Sequence, residues 1–173
     1  MIDIKAEARF LAKRNPGQMT AEEYAVVGHE IATVAPGQVV IFGAGRDSAL
    51  WVKINSGGRT IFFEDEARWM PKVGEPYLVR YVNGAVSGIP DSFEQGRNAS
   101  LVLVDGPKGY RPTDPGRFVS IRVAAAARAL SGCVVIVHDC HRDAERSACL
   151  SHLGPADREV HHLLIWEAAP CGS

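Results

Sequence analysis

The chain has 173 residues, 46% of them hydrophobic and 23% charged, with a formal net charge of -1. That length suits one domain with a real core, and the charge balance excludes a bulk electrostatic pull toward nucleic acid or an anionic membrane. The N-terminus, MIDIKAEARFLAKRNPGQ, is broken by charges and reads as neither signal peptide nor membrane span. Four cysteines (Cys133, Cys140, Cys149, Cys171) include no CxxC pair, which argues against a disulfide framework and sets a cytoplasmic location as the expectation.

Residues 3–14 suit an amphipathic helix, stopped by Asn15-Pro16-Gly17. Thr20 followed three residues later by Glu23 is a capping box, and it opens a second helix that Pro36-Gly37 ends. Residues 1–36 are therefore expected to be an N-terminal helical cap, and 37–173 the body of a single compact domain. QVVIFG (38–43) is the first short apolar run of a buried strand type, followed by a helix over 47–56 that Gly57-Gly58 closes. RTIFFE (59–64), PYLVRYV (76–82) and SLVLVDG (100–106) continue the strands, with a short helix or turn over 65–72. A helix over 115–132 has Pro at its start and Gly at its end. CVVIVHD (133–139), a helix over 143–153 and a last strand over 160–168 complete the pattern, with His161 and His162 expected as partly buried strand residues. Strands alternating with helices predict an α/β, Rossmann-like fold: a mostly parallel sheet of about six strands with helices on both faces. Ligands in such sheets bind beyond the carboxyl ends of the strands.

Those ends carry the candidate chemistry. Gly43-Ala44-Gly45 follows a strand and precedes a helix, where glycine permits a tight turn and close ligand approach. The third glycine of a dinucleotide fingerprint is replaced by Ser48, and Asp47 would repel a pyrophosphate at the helix start. A cofactor without phosphate and with a cationic centre tolerates that acid. Glu64, with Asp65 beside it, ends the second strand where a carboxylate can accept both ribose hydroxyls. Together these residues point to S-adenosylmethionine rather than a nicotinamide cofactor. The plainer alternative makes the glycines a structural turn and Glu64 a helix cap.

Three stretches carry a resemblance: VVIFGAGRDSALWVKINSGGRTIFFEDEARWM, LVLVDGPKGYRPTDPGR and VVIVHDCHRDAERS. They resemble the glucuronoxylan 4-O-methyltransferase family, also described as a polysaccharide-biosynthesis domain, over about Thr20 to Ala148. The resemblance implies a class I methyltransferase-like fold using S-adenosylmethionine, and plant members of that family methylate glucuronic acid side chains of xylan. The chain looks like a small bacterial-type member. A related group of small enzymes cyclises S-adenosylmethionine itself to azetidine-2-carboxylic acid and methylthioadenosine, and that is the alternative activity. A non-catalytic nucleoside-binding module is a further alternative.

Asp105 ends the strand whose tip faces the methyl sulfonium in such a fold, and can serve the cofactor or the acceptor. Tyr110 can pack on or hydrogen-bond a substrate, and Arg111 and Arg117 can hold a carboxylate by a fork contact. His138, Asp139 and His141 lie at the next strand's tip. Asp105 and Asp139 could share a divalent metal, or His138 or His141 could act as general base. Asp139 as a helix cap and His138 as a core residue are the structural alternatives. Tyr24 and Glu23 could close over the cofactor as a lid, and Trp69 either packs in the core or walls an adenine pocket. The expected partners are a small-molecule or sugar-acid substrate and, as a candidate, a second copy of the chain, with neither nucleic acid nor membrane.

Overall fold

The structure, a computed structural model, describes residues 2–90, 98–109, 111 and 114–169. Tyr110, Cys171 and the segment 91–97 lie outside the described residues. A seven-stranded sheet runs through the middle in the order β3-β2-β1-β6-β7-β9-β8. Its strands are β1 (Gln38–Phe42), β2 (Arg59–Glu64), β3 (Glu75–Leu78), β6 (Leu101–Val104), β7 (Val134–Val137), β8 (Arg158–Val160) and β9 (Leu163–Trp166). The pairings from β3 to β7 are parallel, and β9 runs antiparallel to both β7 and β8. The first strand lies in the interior of the sheet with the chain crossing outward both ways, so the switch point falls between β1 and β6. A small antiparallel hairpin, β4 (Arg80–Val82) with β5 (Ala85–Ser87), stands apart.

Side-chain alternation sorts the apolar strands into two layers. Val39, Ile41, Phe62, Leu101 and Leu103 pack against Leu11 of α1 (Ile4–Arg14), Val27 and Ile31 of α2 (Ala21–Val34) and Trp51 of α3 (Ser48–Ile54). Val40, Phe42, Phe63, Val102 and Val104 pack against Ile121 and Ala124 of α4 (Phe118–Ser131) and Cys149 of α5 (Asp143–Leu153). This is the Rossmann-like arrangement expected, with seven strands in the sheet where about six were foreseen. Among the described residues no helix is long and apolar enough to cross a membrane.

The capping box forms as predicted: the Thr20 hydroxyl accepts from the Glu23 N–H at 3.2 Å, and Glu23 accepts from the Thr20 N–H at 2.7 Å. Two strand expectations need correction. The run 76–82 is split at buried Val79, whose N–H donates to the Glu64 carbonyl at 2.9 Å, and the chain then leaves the sheet for the β4–β5 hairpin. The run 160–168 is likewise two strands, because His161 takes a left-handed φ of 50° and turns the chain. His161 and His162 are exposed residues of that turn, not strand residues.

Candidate functional site

The C-terminal ends of β1, β2 and β6 open into one cavity of about 430 Å³, a size suited to a small organic ligand. Its floor is Gly43 to Asp47, one wall is Glu64 to Glu66 with Trp69, and another is Asp105 to Lys108. The loop after α1, including Asn15 and Pro16, and Tyr24 of α2 close the remaining side.

Gly43 is required by its neighbours. Its φ is 93°, and a Cβ there would lie 2.8 Å from the Gly106 nitrogen. A Cβ on Gly106 would in turn lie 2.7 Å from the Gly43 Cα, so the β1 and β6 turns touch backbone to backbone. The Ser48 hydroxyl accepts from the Gly45 N–H at 3.1 Å and closes the turn from behind. Ser48 is buried and does not line the cavity, whereas Gly43, Gly45 and Asp47 do.

Glu64 latches this floor to β2. Oε2 accepts from the Ala44 N–H and Oε1 from the Glu66 N–H, each at 2.7 Å. Burial lifts its carboxyl above the ordinary value, against the pull of those two amides. Each oxygen keeps a lone pair for a further donor. Asp65 is raised likewise, by burial and the Glu66 charge. Glu66 is held down by its hydrogen bond to Lys108, at 2.6 Å, and by Arg68.

Asp47 faces the cavity with little to neutralise it. Burial, and then the nearby Asp105 charge, push its carboxyl up to about 7, although the Trp51 side chain hydrogen-bonds it. Tyr24 is raised as well, by burial and then by the Asp47 charge. Because Asp47 is raised from 3.8, folding favours its protonated form, and this contribution to stability is lost as pH climbs from about 4 through about 7. Asp47→Asn is therefore expected to melt several degrees above the wild type at pH 8, with the gap shrinking toward pH 4. Melting curves across that range test it; a constant gap would show that Asp47 is not the titrating group.

Asp105 is the acid that β6 brings to the cavity, and it is braced from behind. Oδ1 accepts from Arg117 Nη2 at 3.1 Å and meets His138 Nδ1 at 2.8 Å. Burial alone would raise its carboxyl, but the bond to His138 and the Arg117 charge together hold it below the usual range. Burial works to lower His138, and the bond to Asp105 with the charges of Asp105 and Asp139 overrides it, so the imidazole is raised. Arg117, 4% exposed, also donates to the His138 carbonyl at 2.6 Å and pairs with Asp139 at 2.8 Å.

The shared-metal expectation for Asp105 and Asp139 therefore meets a different arrangement: the Arg117 guanidinium stands between the two carboxylates and supplies the positive charge. Arg117 is spent on protein carboxylates rather than a substrate carboxylate. Asp139 does not cap α5; it has a left-handed φ of 62° and pairs with Arg117 and with Arg142 at 2.7 Å. Asp105 lines the cavity, while His138, Asp139 and Arg117 stand behind it. Trp69 is 42% exposed on the cavity rim, so it is not a core residue. Lys108, Asn15 and Pro16 of the lining were not singled out from sequence; the only available signal was their place in loops beside strand or helix ends.

A family model described as IRX15/IRX15L/GXM matches residues 22–84 and 78–160. Arabinogalactan O-methyltransferase 1 of Arabidopsis thaliana is 28% identical, over 97% of this chain and 74% of that protein. Glucuronoxylan 4-O-methyltransferase 1 of the same plant is 28% identical, over 86% of this chain and 68% of its own length. Protein IRX15-LIKE is 29% identical over 64% of this chain and 48% of itself. The matched span takes in both glycine turns, the five acids that line the cavity and the Arg117 brace, and on that span the chain belongs to the IRX15/IRX15L/GXM family.

Proposed function

We propose that the chain is an S-adenosylmethionine-dependent O-methyltransferase whose acceptor is a hydroxyl of a sugar or sugar acid. The single observation that carries this is one cavity in which the Gly43–Gly45 turn, the acid ending β2 and the acid ending β6 converge. Membership of a family with relatives named as sugar-polymer O-methyltransferases supports the acceptor class.

In this reading the remaining lone pairs of Glu64 accept the ribose hydroxyls, and Asp65 and Trp69 flank the nucleoside. Asp47 and Asp105, two negative groups on an apolar-backed floor, attract the sulfonium and ammonium of the donor. The affinity of the cationic donor should accordingly rise as Asp47 ionises near pH 7. Among the described residues both bonds to the Asp105 carboxylate fall on Oδ1, which leaves Oδ2 to accept from the acceptor hydroxyl. As that oxygen attacks the methyl carbon, the C–S bond breaks and the hydroxyl proton passes to Asp105. His138 and Arg117 position Asp105, and Asp139 holds Arg117. Residues 1–36 act as a cap, with the loop after α1 and Tyr24 covering the donor.

Calorimetry with S-adenosylhomocysteine, followed by product analysis with and without uronic-acid acceptors, is the test. Binding by the wild type should weaken at least tenfold in Glu64→Ala, since charge-assisted hydroxyl contacts are worth about 1.5–3 kcal/mol each. Absence of binding by the wild type overturns the donor site, and methylthioadenosine formed from the donor alone overturns methyl transfer.

A further inference from the structure

The cavity is lined by cations as well as acids: Arg14, Arg46, Arg68 and Lys108. Two of them are already spent, because Arg68 and Lys108 both pair with Glu66. Among the described residues the other two make no ion pair, and their contacts are with uncharged groups. Arg46 Nη1 donates to the Arg14 carbonyl at 3.3 Å and to Asn15 Oδ1 at 3.4 Å. The Arg14 guanidinium lies 5.3 Å from the centre of the Phe10 ring.

Two details set Arg46 apart from a solvated surface arginine. First, its side chain is folded back on the C-terminal end of α1, where the last carbonyls of a helix draw a cation. Both of its bonds there use Nη1. Nε and Nη2, the edge of a guanidinium that meets a carboxylate with two parallel bonds, keep their donors for a ligand. Second, Asp47 follows Arg46 directly and lines the same cavity. Opposite charges on adjacent residues of one turn complement a head group that carries an ammonium and a carboxylate on one carbon. The acids of the floor, Asp47 and Asp105, repel a carboxylate, so the anionic end of such a head has to lie toward Arg46.

We infer that Arg46, reinforced by the charge of Arg14, is the carboxylate-binding residue of the cavity and forms with Asp47 a subsite for the amino-acid head of the donor. This rests on the donor reading given under the proposed function. Asp47 takes the ammonium and Arg46 the carboxylate, which leaves Asp105 to the sulfonium. Because Arg46 bridges the β1 turn to the end of α1, a head group held there sits between the glycine turn and the N-terminal cap. A lysine in its place would supply the charge without the fork. The other carboxylate within reach of the mouth belongs to a sugar-acid acceptor. Both sources present the same chemistry, a carboxylate on a guanidinium edge, and the choice of ligand tells them apart.

Calorimetry on the whole chain compares S-adenosylhomocysteine with methylthioadenosine, which keeps the nucleoside and the thioether and lacks the amino-acid head. The wild type is expected to hold the first more tightly by about tenfold or more, the scale of a charge-assisted pair. Arg46→Ala, a substitution at an exposed position, should remove most of that difference and leave methylthioadenosine binding unchanged, which also shows that the variant is folded. Arg46→Lys should restore only part of the difference, and rising ionic strength should narrow it in the wild type. Equal affinity of the wild type for both ligands overturns the subsite while the nucleoside site stands, whereas a wild type that binds neither overturns the donor reading itself. An equal loss of both ligands in Arg46→Ala also overturns the subsite. So does an Arg46→Ala protein that keeps the full difference and raises only the KM of a uronic-acid acceptor, which would give the guanidinium edge to the acceptor.

Discussion

Arg117→Ala is expected to lower Tm by roughly 10 °C, corresponding to about 3–5 kcal/mol for removing one partner of a buried ionic cluster. The guanidinium contacts Asp105, Asp139 and two backbone carbonyls, those of Asp105 and His138. Alanine leaves two carboxylates close together with less opposing charge, and both carbonyls lose their donor. Arg117→Lys should recover only part of the loss, because an ammonium cannot span the same fork. Thermal melts of the three proteins at pH 7.5 decide this. A shift of under about 2 °C for alanine would mean that the cluster relaxes or takes up water, as an exposed pair would.

Asp105→Asn should reduce kcat by about a hundredfold or more, the usual scale for removing a positioned proton acceptor. Donor affinity should stay within a few-fold of the wild type. The amide oxygen can keep the bonds now made by Oδ1, which places NH₂ where Oδ2 stood. That group donates, so it cannot accept from an attacking hydroxyl. Single-turnover kinetics with calorimetry separate the two effects. A fall of less than threefold would remove Asp105 from the reacting oxygen.

Periodicity carried most of the fold. Continuous apolar runs located β1, β2, β6 and β7 because both faces of a central parallel strand are buried, and the Thr20–Glu23 spacing marked the start of α2. The β8–β9 turn was illegible, since Val160-His161-His162-Leu163 contains no glycine or asparagine to signal a left-handed residue. The break at Val79 was equally silent, because a β-branched residue suits either a strand or the corner after one. In the site, Gly43, Glu64 and Asp105 could be named as strand-end residues. The partners of Arg117 could not: a guanidinium suited to a substrate carboxylate is equally suited to Asp105 and Asp139, and only the fold chooses. Glu23 shows the same limit. Its capping role is local and readable, while its bond to the His162 N–H spans 139 residues.

In the proposed reaction the Asp47–Asp105 repulsion would make the cavity a charge sensor for the sulfur atom. In the proposed reaction the donor enters with a net charge of about +1, and the thioether departs with none. The same acids that draw the donor in therefore lose their hold once the methyl group has gone, and turnover itself ejects the spent nucleoside.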